Sequence, residues 1–448
     1  MSKTKTLNTW SLVMINIIAI DNLRTLSFSA KFGSDLLMFY LIAGITFFLP
    51  SALITAELAS RYPIKGGIFI WIEKAFGKTT AFFITVIQWI YNVVWFPTIM
   101  IFIWSVFTYI MPIPFFKSPL GTFLGVLSLF WACTYANIFG MSISSRVSSL
   151  GAIVGTLIPM ALLTTGGILS LCFHGGYETL LSNQPDHGDV YPYFVELVFG
   201  LIGIEMSAMH ADEVKQPERA FPRAIMISSI IIFTALMISS LSVSILIPSQ
   251  NLNVITGTLQ AVNFIAKSNH MPWLTSIFGM LIMLGSLATV AAWIIGPVKG
   301  LWAAANRGLL PSIFRETNKK GVPINLLFFQ ACIYSVIVFL ILFFPINASF
   351  VLLSALTTQM ALITYIVLFV SAIKLMKLRP KQGDYFRVPM MKLTAITGTL
   401  TAIFTLGLGF FMPGELGIGH STQYFIIVSG AFIFLLITST LLAQRSQN

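Results

Sequence analysis

Of the 448 residues, 56% are hydrophobic and only 9% are charged, and the mean hydropathy is +0.88. Soluble domains carry roughly a quarter charged residues, so this composition excludes a soluble globular protein and puts the chain in lipid. The net charge of +11 belongs to short loops between apolar runs, which argues against a nucleic-acid partner.

A helix needs about 20 apolar residues to cross the hydrocarbon core. In chain order the runs that qualify are 10–32, 36–59, 80–111, 120–140, 148–173 and 191–212, then 224–247, 273–298, 323–344, 349–373, 393–412 and 422–443. The fold class predicted is therefore an all-α integral membrane protein of about twelve spanning helices. The first run is a span and not a leader, because Asp21 and Arg24 interrupt its apolar stretch. Residues 248–272 leave room for a small helix over the mouth of the bundle. Cys133, Cys172 and Cys332 each sit in an apolar run with no disulfide or zinc spacing, and read as small core residues. No cofactor and no metal site is expected.

Basic residues orient the bundle, since cytoplasmic loops retain Lys and Arg. All but four of the 26 fall on one side, the exceptions being Arg24, Lys31, Lys117 and Lys267. Both termini are accordingly expected in the cytoplasm, with the chain in a bacterial inner membrane.

An ionisable group inside a span costs several kcal/mol unless it is paired, which marks it for function by default. Such groups are few. Span 1 holds Asp21 and Arg24, span 2 holds Glu57, and span 6 holds Glu196 and Glu205. Asp21 and Arg24, three apart on one face, either neutralise one another or serve a ligand. Glu57, close to Arg61, suits a structural or gating ion pair. Glu196 reads as solvated near the external surface. His210 is the histidine nearest the suspected site and reads as a helix-end imidazole or as a gating or proton-coupling group.

Two spans carry signs of a break. Span 1 reads Ile18-Ala19-Ile20-Asp21-Asn22-Leu23-Arg24, a polar cluster near mid-membrane, where open backbone is tolerated only beside a cavity. Span 6 reads Phe199-Gly200-Leu201-Ile202-Gly203-Ile204-Glu205, two glycines of low helix propensity followed by a carboxylate. Interrupted spans five helices apart point to a transporter built from inverted repeats, with the ligand site near the midplane. No residue-level repeat links the two halves. Enzyme chemistry is not expected, for the chain has no His/Cys cluster, no HExxH and no Gly-x-Ser-x-Gly. Nor is there a filter motif or a ring of repeated charges to suggest a channel.

The segment from Gly203-Ile204-Glu205 to Lys215-Gln216-Pro217, continuing to Phe221-Pro222-Arg223-Ala224-Ile225, resembles the sixth-helix signature of the amino acid/polyamine/organocation superfamily. Glu57 through Tyr62-Pro63 to Gly66-Gly67 and Trp71 agrees with it, as does Trp293 through Gly296-Pro297, Asn306-Arg307-Gly308 and Gly321-Val322-Pro323. The eighth-helix stretch looks most like the bacterial glutamate:GABA antiporter branch.

The resemblance implies a leucine-transporter-type fold. Spans 1–5 (1–190) and 6–10 (191–390) form inverted repeats, and residues 391–448 carry two peripheral spans. It implies alternating access with an amino acid as cargo, as antiporter or as proton-coupled symporter, with a transporter-like nutrient sensor as the distant alternative. Substrate would meet Ile20, Asp21, Asn22, Leu23 and Arg24 at the first break and Gly200, Gly203 and Glu205 at the second. Trp293 and Tyr365 would serve as aromatic walls, and Glu57, Glu205 and His210 as gating or proton-coupling groups. Members commonly have a small glycine-rich motif where this chain has Asp21-Asn22-Leu23-Arg24. Arg24 therefore either pairs with a side-chain carboxylate of the cargo or stays locked to Asp21. Acid-resistance antiporters of this branch can carry a long C-terminal plug; with the sequence ending at Asn448, no such plug is expected.

Overall fold

The structure is a computed structural model. It describes residues 7–20, 23–64, 66–138, 151, 153–173, 176, 191–379, 385–414 and 421–445, without the side chains of His210, Asp212 and Arg445. Among these, eleven helices are long and apolar enough to cross a membrane: Thr9–Ala30, Gly33–Arg61, Lys78–Ile110, Pro119–Ile138, Ile153–Phe173, Pro217–Leu246, Trp273–Asn306, Ile324–Ile341, Ile346–Met376, Met391–Leu408 and Ser421–Gln444. They correspond to spans 1–5 and 7–12 of the sequence reading. Span 6 falls outside the eleven because it is not one helix. It consists of Phe194–Phe199, six residues of irregular chain and a 3₁₀ segment, Met206–Glu213.

Span 1 is likewise composite. A helix, Thr9–Ile20, is followed after the break by a 3₁₀ turn, Leu23–Thr25, and a short helix, Leu26–Ala30. Span 6 is thus interrupted where two glycines of low helix propensity lie in an apolar run, and in span 1 the α-helix described to Ile20 gives way to a 3₁₀ turn from Leu23.

Two predicted boundaries move. Span 8 continues to Asn306 through Pro297, and span 7 starts at Pro217, with Pro222 inside its first turns. Apolarity alone ends a helix where charges begin, but a helix can project past the hydrocarbon with its polar end in water. Proline is tolerated in spans whose neighbours re-satisfy the freed backbone. The segment after span 7 does hold a small helix, Gly257–Ser268. Its first turn is fastened to span 1, Thr258 N–H donating to Ser27 Oγ at 3.0 Å and Thr258 Oγ1 to the Leu23 carbonyl at 3.2 Å.

Span 3 is the central post, packed against spans 8 and 10 and buried along most of its length. Spans 11 and 12 present Leu400, Phe404, Ile426 and Phe434 outward, as helices facing lipid do. Cys172 and Cys332 are also exposed and only Cys133 is half-buried. The core role expected for the cysteines is corrected for two of them: an apolar run in a membrane helix has a lipid face as well as a packed one.

Candidate functional site

The two breaks face one another across a cavity whose space, counting its opening, is about 410 Å³. Ala19, Ile20 and Thr25 of span 1 line it with Phe199, Gly200 and Ile202 of span 6. Span 3 contributes Tyr91, Asn92 and Trp95, and span 8 contributes Trp293.

Span 8 holds the open end of span 1. Carbonyls at a helix end have no partner within the helix; here Ile18 O accepts from Thr289 Oγ1 at 3.1 Å and Ala19 O from Trp293 Nε1 at 3.3 Å. The Trp293 ring also stands 6.0 Å from that of Trp95. Span 10 holds the open part of span 6. Gly203 N–H donates to Tyr365 Oη at 2.8 Å, and the Tyr365 hydroxyl in turn donates to Glu205 Oε2. Glu205 is 2% exposed, and its Oε1 has no hydrogen-bond partner among the described residues.

Gly203 has a physical reason to be glycine. Its φ is +121°, and a Cβ there would lie 3.2 Å from Ile20 Cγ1 and 3.5 Å from the Trp293 ring. Gly200 meets Thr25 closely across the cavity, its Cβ position being 3.1 Å from Oγ1.

Of the sequence-predicted substrate residues, Ile20, Gly200 and Trp293 line the cavity, while Gly203 abuts it through Ile20 and Trp293. Leu23 and Arg24 are buried behind it. Tyr365 is not among the lining residues; it braces Gly203 and Glu205 from the rear. Asp21 and Asn22, and the side chain of His210, lie outside the described residues.

Arg24 is completely buried. Its Nη1 donates to Ser354 Oγ at 2.8 Å, its Nη2 lies 3.5 Å from Glu196 Oε2, and its guanidinium carbon sits 5.2 and 5.4 Å from the Phe199 and Phe350 ring centroids. Glu196, expected to be solvated, is instead 3% exposed and faces this cation. It occupies the first turn of Phe194–Phe199, and that short helix packs into spans 10 and 11 rather than standing at the surface.

Glu57 pairs not with Arg61 but with Arg379, just past span 10: Nε donates to Oε1 at 2.8 Å and Nη2 to Oε2 at 2.5 Å. Val388 N–H adds a third bond to Oε2 at 2.7 Å. Arg61 turns the other way and caps the end of span 10, donating to the Leu375 carbonyl at 2.9 Å and to that of Leu378. Next to it, burial raises the Tyr62 phenol above its ordinary range, although the Arg61 charge opposes this. A second tie at the basic end joins Arg307 to Glu73 of the helix Ile68–Phe76, at 2.8 Å.

Sequence reasoning missed the span 3 wall. Asn92 and Gln88 stand one turn apart in an otherwise apolar run, so a polar stripe was available as a signal.

A broken first span, a broken sixth span and a cavity between them are features of secondary transporters. The family model described as amino acid permease matches residues 7–434. The chain belongs to the amino acid permease family. It is a multi-pass membrane transporter and not an enzyme, as are the proteins it resembles. This permease is 40% identical over 453 residues to a protein of Legionella pneumophila named an uncharacterized transporter, covering 98% of this chain and 97% of the relative. It is 29% identical over 415 residues to the glutamate/gamma-aminobutyrate antiporter of Lactococcus lactis, with 89% and 82% covered. With a probable agmatine/putrescine antiporter of Lactococcus lactis it shares 23% identity over 445 residues, covering 93% and 90%.

Proposed function

We propose that this permease is an amino acid antiporter of the glutamate/GABA-antiporter type, working by alternating access. The observation that carries the reading is the meeting of two broken spans at one cavity, each braced by a scaffold helix, Trp293 on span 8 and Tyr365 on span 10. The substrate carboxylate sits on backbone N–H groups at the span 1 break, where the helix-dipole charge is favourable. Its ammonium group takes carbonyl oxygens freed in span 6. Spans 1, 2, 6 and 7 then rock against the rest of the bundle, the inverted repeats being 1–190 and 191–390 with 391–448 peripheral, and both termini facing the cytoplasm.

Glu205 Oε1, without a hydrogen-bond partner among the described residues, favours a second reading, proton-coupled symport, in which that oxygen takes the coupling proton. The test is uptake of labelled amino acids into proteoliposomes, empty or preloaded with unlabelled amino acids. Antiport requires preloading. Uptake into empty vesicles driven by a pH gradient replaces it with symport, and no uptake in either condition overturns amino acid transport itself.

A further inference from the structure

We infer that the cavity takes an amino acid with an uncharged side chain, and that Glu196 enforces this by holding Arg24 away from the cargo. The inference rests on the amino acid antiport reading above and deepens it.

The lining residues among those described include no Lys, Arg, His, Asp or Glu. Asp21 and Asn22, the remaining residues of the first break, supply no cation by sequence. Trp95, Trp293, Phe199 and Ile202 make most of the wall aromatic or aliphatic. Such a surface gains from an apolar or aromatic side chain and offers nothing to a second carboxylate.

Arg24 is the cation beside this wall, and it is spoken for. Phe199 lines the cavity, and its ring centroid lies 5.2 Å from the Arg24 guanidinium carbon. On the other sides Ser354, Phe350 and Glu196 surround it. The cation is neutralised within the protein, and all of its surface is buried. A cargo carboxylate placed in the cavity would therefore be an uncompensated buried charge, and Glu205 lies on the same broken span as Phe199. Glutamate is disfavoured even though the sequence is 29% identical to a glutamate/gamma-aminobutyrate antiporter.

Neutralising Glu196 alters this balance at one point. Without its carboxylate, Arg24 loses the counter-charge that Glu196 supplies, so a cargo carboxylate next to Phe199 becomes a more attractive partner. Glu196→Asp keeps the charge and serves as the conservative control. The double variant R24Q/E196Q removes both charges and restores a neutral wall.

The experiment is counterflow in proteoliposomes loaded with unlabelled mixed amino acids, scored as initial uptake of labelled leucine, phenylalanine, glutamine, glutamate and lysine. Wild type is expected to take leucine or phenylalanine at least tenfold faster than glutamate or lysine. E196Q is expected to raise the glutamate-to-leucine ratio about tenfold, with E196D and R24Q/E196Q near wild type. Glutamate or lysine leading in wild type overturns the inference and leaves antiport standing. An unchanged ratio in an E196Q protein that still exchanges leucine overturns the role of Glu196. Exchange of no amino acid overturns the antiport reading and this one together. Should E196Q fail to reach the membrane, the wild-type ratio decides.

Discussion

Arg379 grips Glu57 with two parallel hydrogen bonds, Nε to Oε1 at 2.8 Å and Nη2 to Oε2 at 2.5 Å, across 322 residues of sequence. Bidentate arginine–carboxylate pairs fix geometry as well as charge. This one joins the end of span 2 to the chain just beyond span 10, and Val388 N–H binds the same carboxylate from the segment leading into span 11. The structural consequence is a tie among the ends of spans 2, 10 and 11.

The two partners differ in exposure, with side chains 21% exposed for Arg379 and 1% for Glu57. Arg379→Gln strands a buried carboxylate on one backbone N–H, whereas Glu57→Gln leaves a half-buried cation near water and an amide oxygen that still accepts from Val388. Arg379→Gln is therefore expected to lower stability by about 3 kcal/mol, and Glu57→Gln by less than half of that. Thermal unfolding in detergent checks the order. Equal losses would mean that the pair is not what holds this end.

At the candidate site the Tyr365 hydroxyl satisfies two groups at once, accepting from Gly203 N–H and donating to Glu205. Tyr365→Phe leaves both without that partner, at about 1–3 kcal/mol for each buried group. The expected outcome is at least a tenfold loss of substrate affinity with the protein still folded, measured by ligand-induced tryptophan fluorescence. Glu205→Gln is expected to make exchange independent of pH while keeping a bond to Tyr365. A pH profile identical to wild type would remove Glu205 from any coupling step.

Much of this was legible in the sequence for a plain reason: a membrane span is written as a run of apolar residues, and a break as polar or glycine residues within it. Gly200 to Glu205 marked the irregular stretch of span 6, and Trp293, read as an aromatic wall, lines the cavity. Ion-pair partners were not legible. Local spacing suggested Glu57 with Arg61, but the partner found is Arg379; Glu196, 172 residues away, faces Arg24, while Asp21 lies outside the described residues. Helix packing, which no single run encodes, decides which charges meet. Cysteine burial failed on the same ground, since hydropathy does not tell the lipid face from the packed one.

Close helix approach gives a third prediction. Gly155 of span 5 and Gly285 of span 8 touch backbone to backbone, and a Cβ on either would run into the other glycine's main chain. Small residues permit such crossings where there is no water to drive helices together. Gly155→Ala and Gly285→Ala are each expected to destabilise by about 1–3 kcal/mol, while Gly430→Ala, with nothing within 4 Å of its Cβ position, is expected to be neutral or slightly stabilising. Melting temperatures of the three variants provide the check. A loss at Gly430 equal to the others would mean that helix separation is not the cause.

The last prediction concerns Gly203, where backbone, cavity and brace coincide. Its φ of +121° lies where L side chains rarely go, and its Cβ position is 3.2 Å from Ile20 Cγ1 and 3.5 Å from the Trp293 ring. Gly203→Ala must either accept strain of about 1–3 kcal/mol or relax to negative φ. Relaxation would swing the N–H off Tyr365 and carry Glu205 with it, while the new methyl presses Ile20 at the opposite break. Either route disturbs both halves of the cavity but leaves the packed scaffold of spans 3, 8 and 10 in place. The expected result is a folded, monodisperse protein whose exchange rate falls at least tenfold. Gly200→Ala, at ordinary φ and meeting the Thr25 hydroxyl at 3.1 Å and the Leu197 carbonyl at 3.3 Å, is expected to lose less. Transport by Gly203→Ala at the wild-type rate would mean that the span 6 turn does not shape the site.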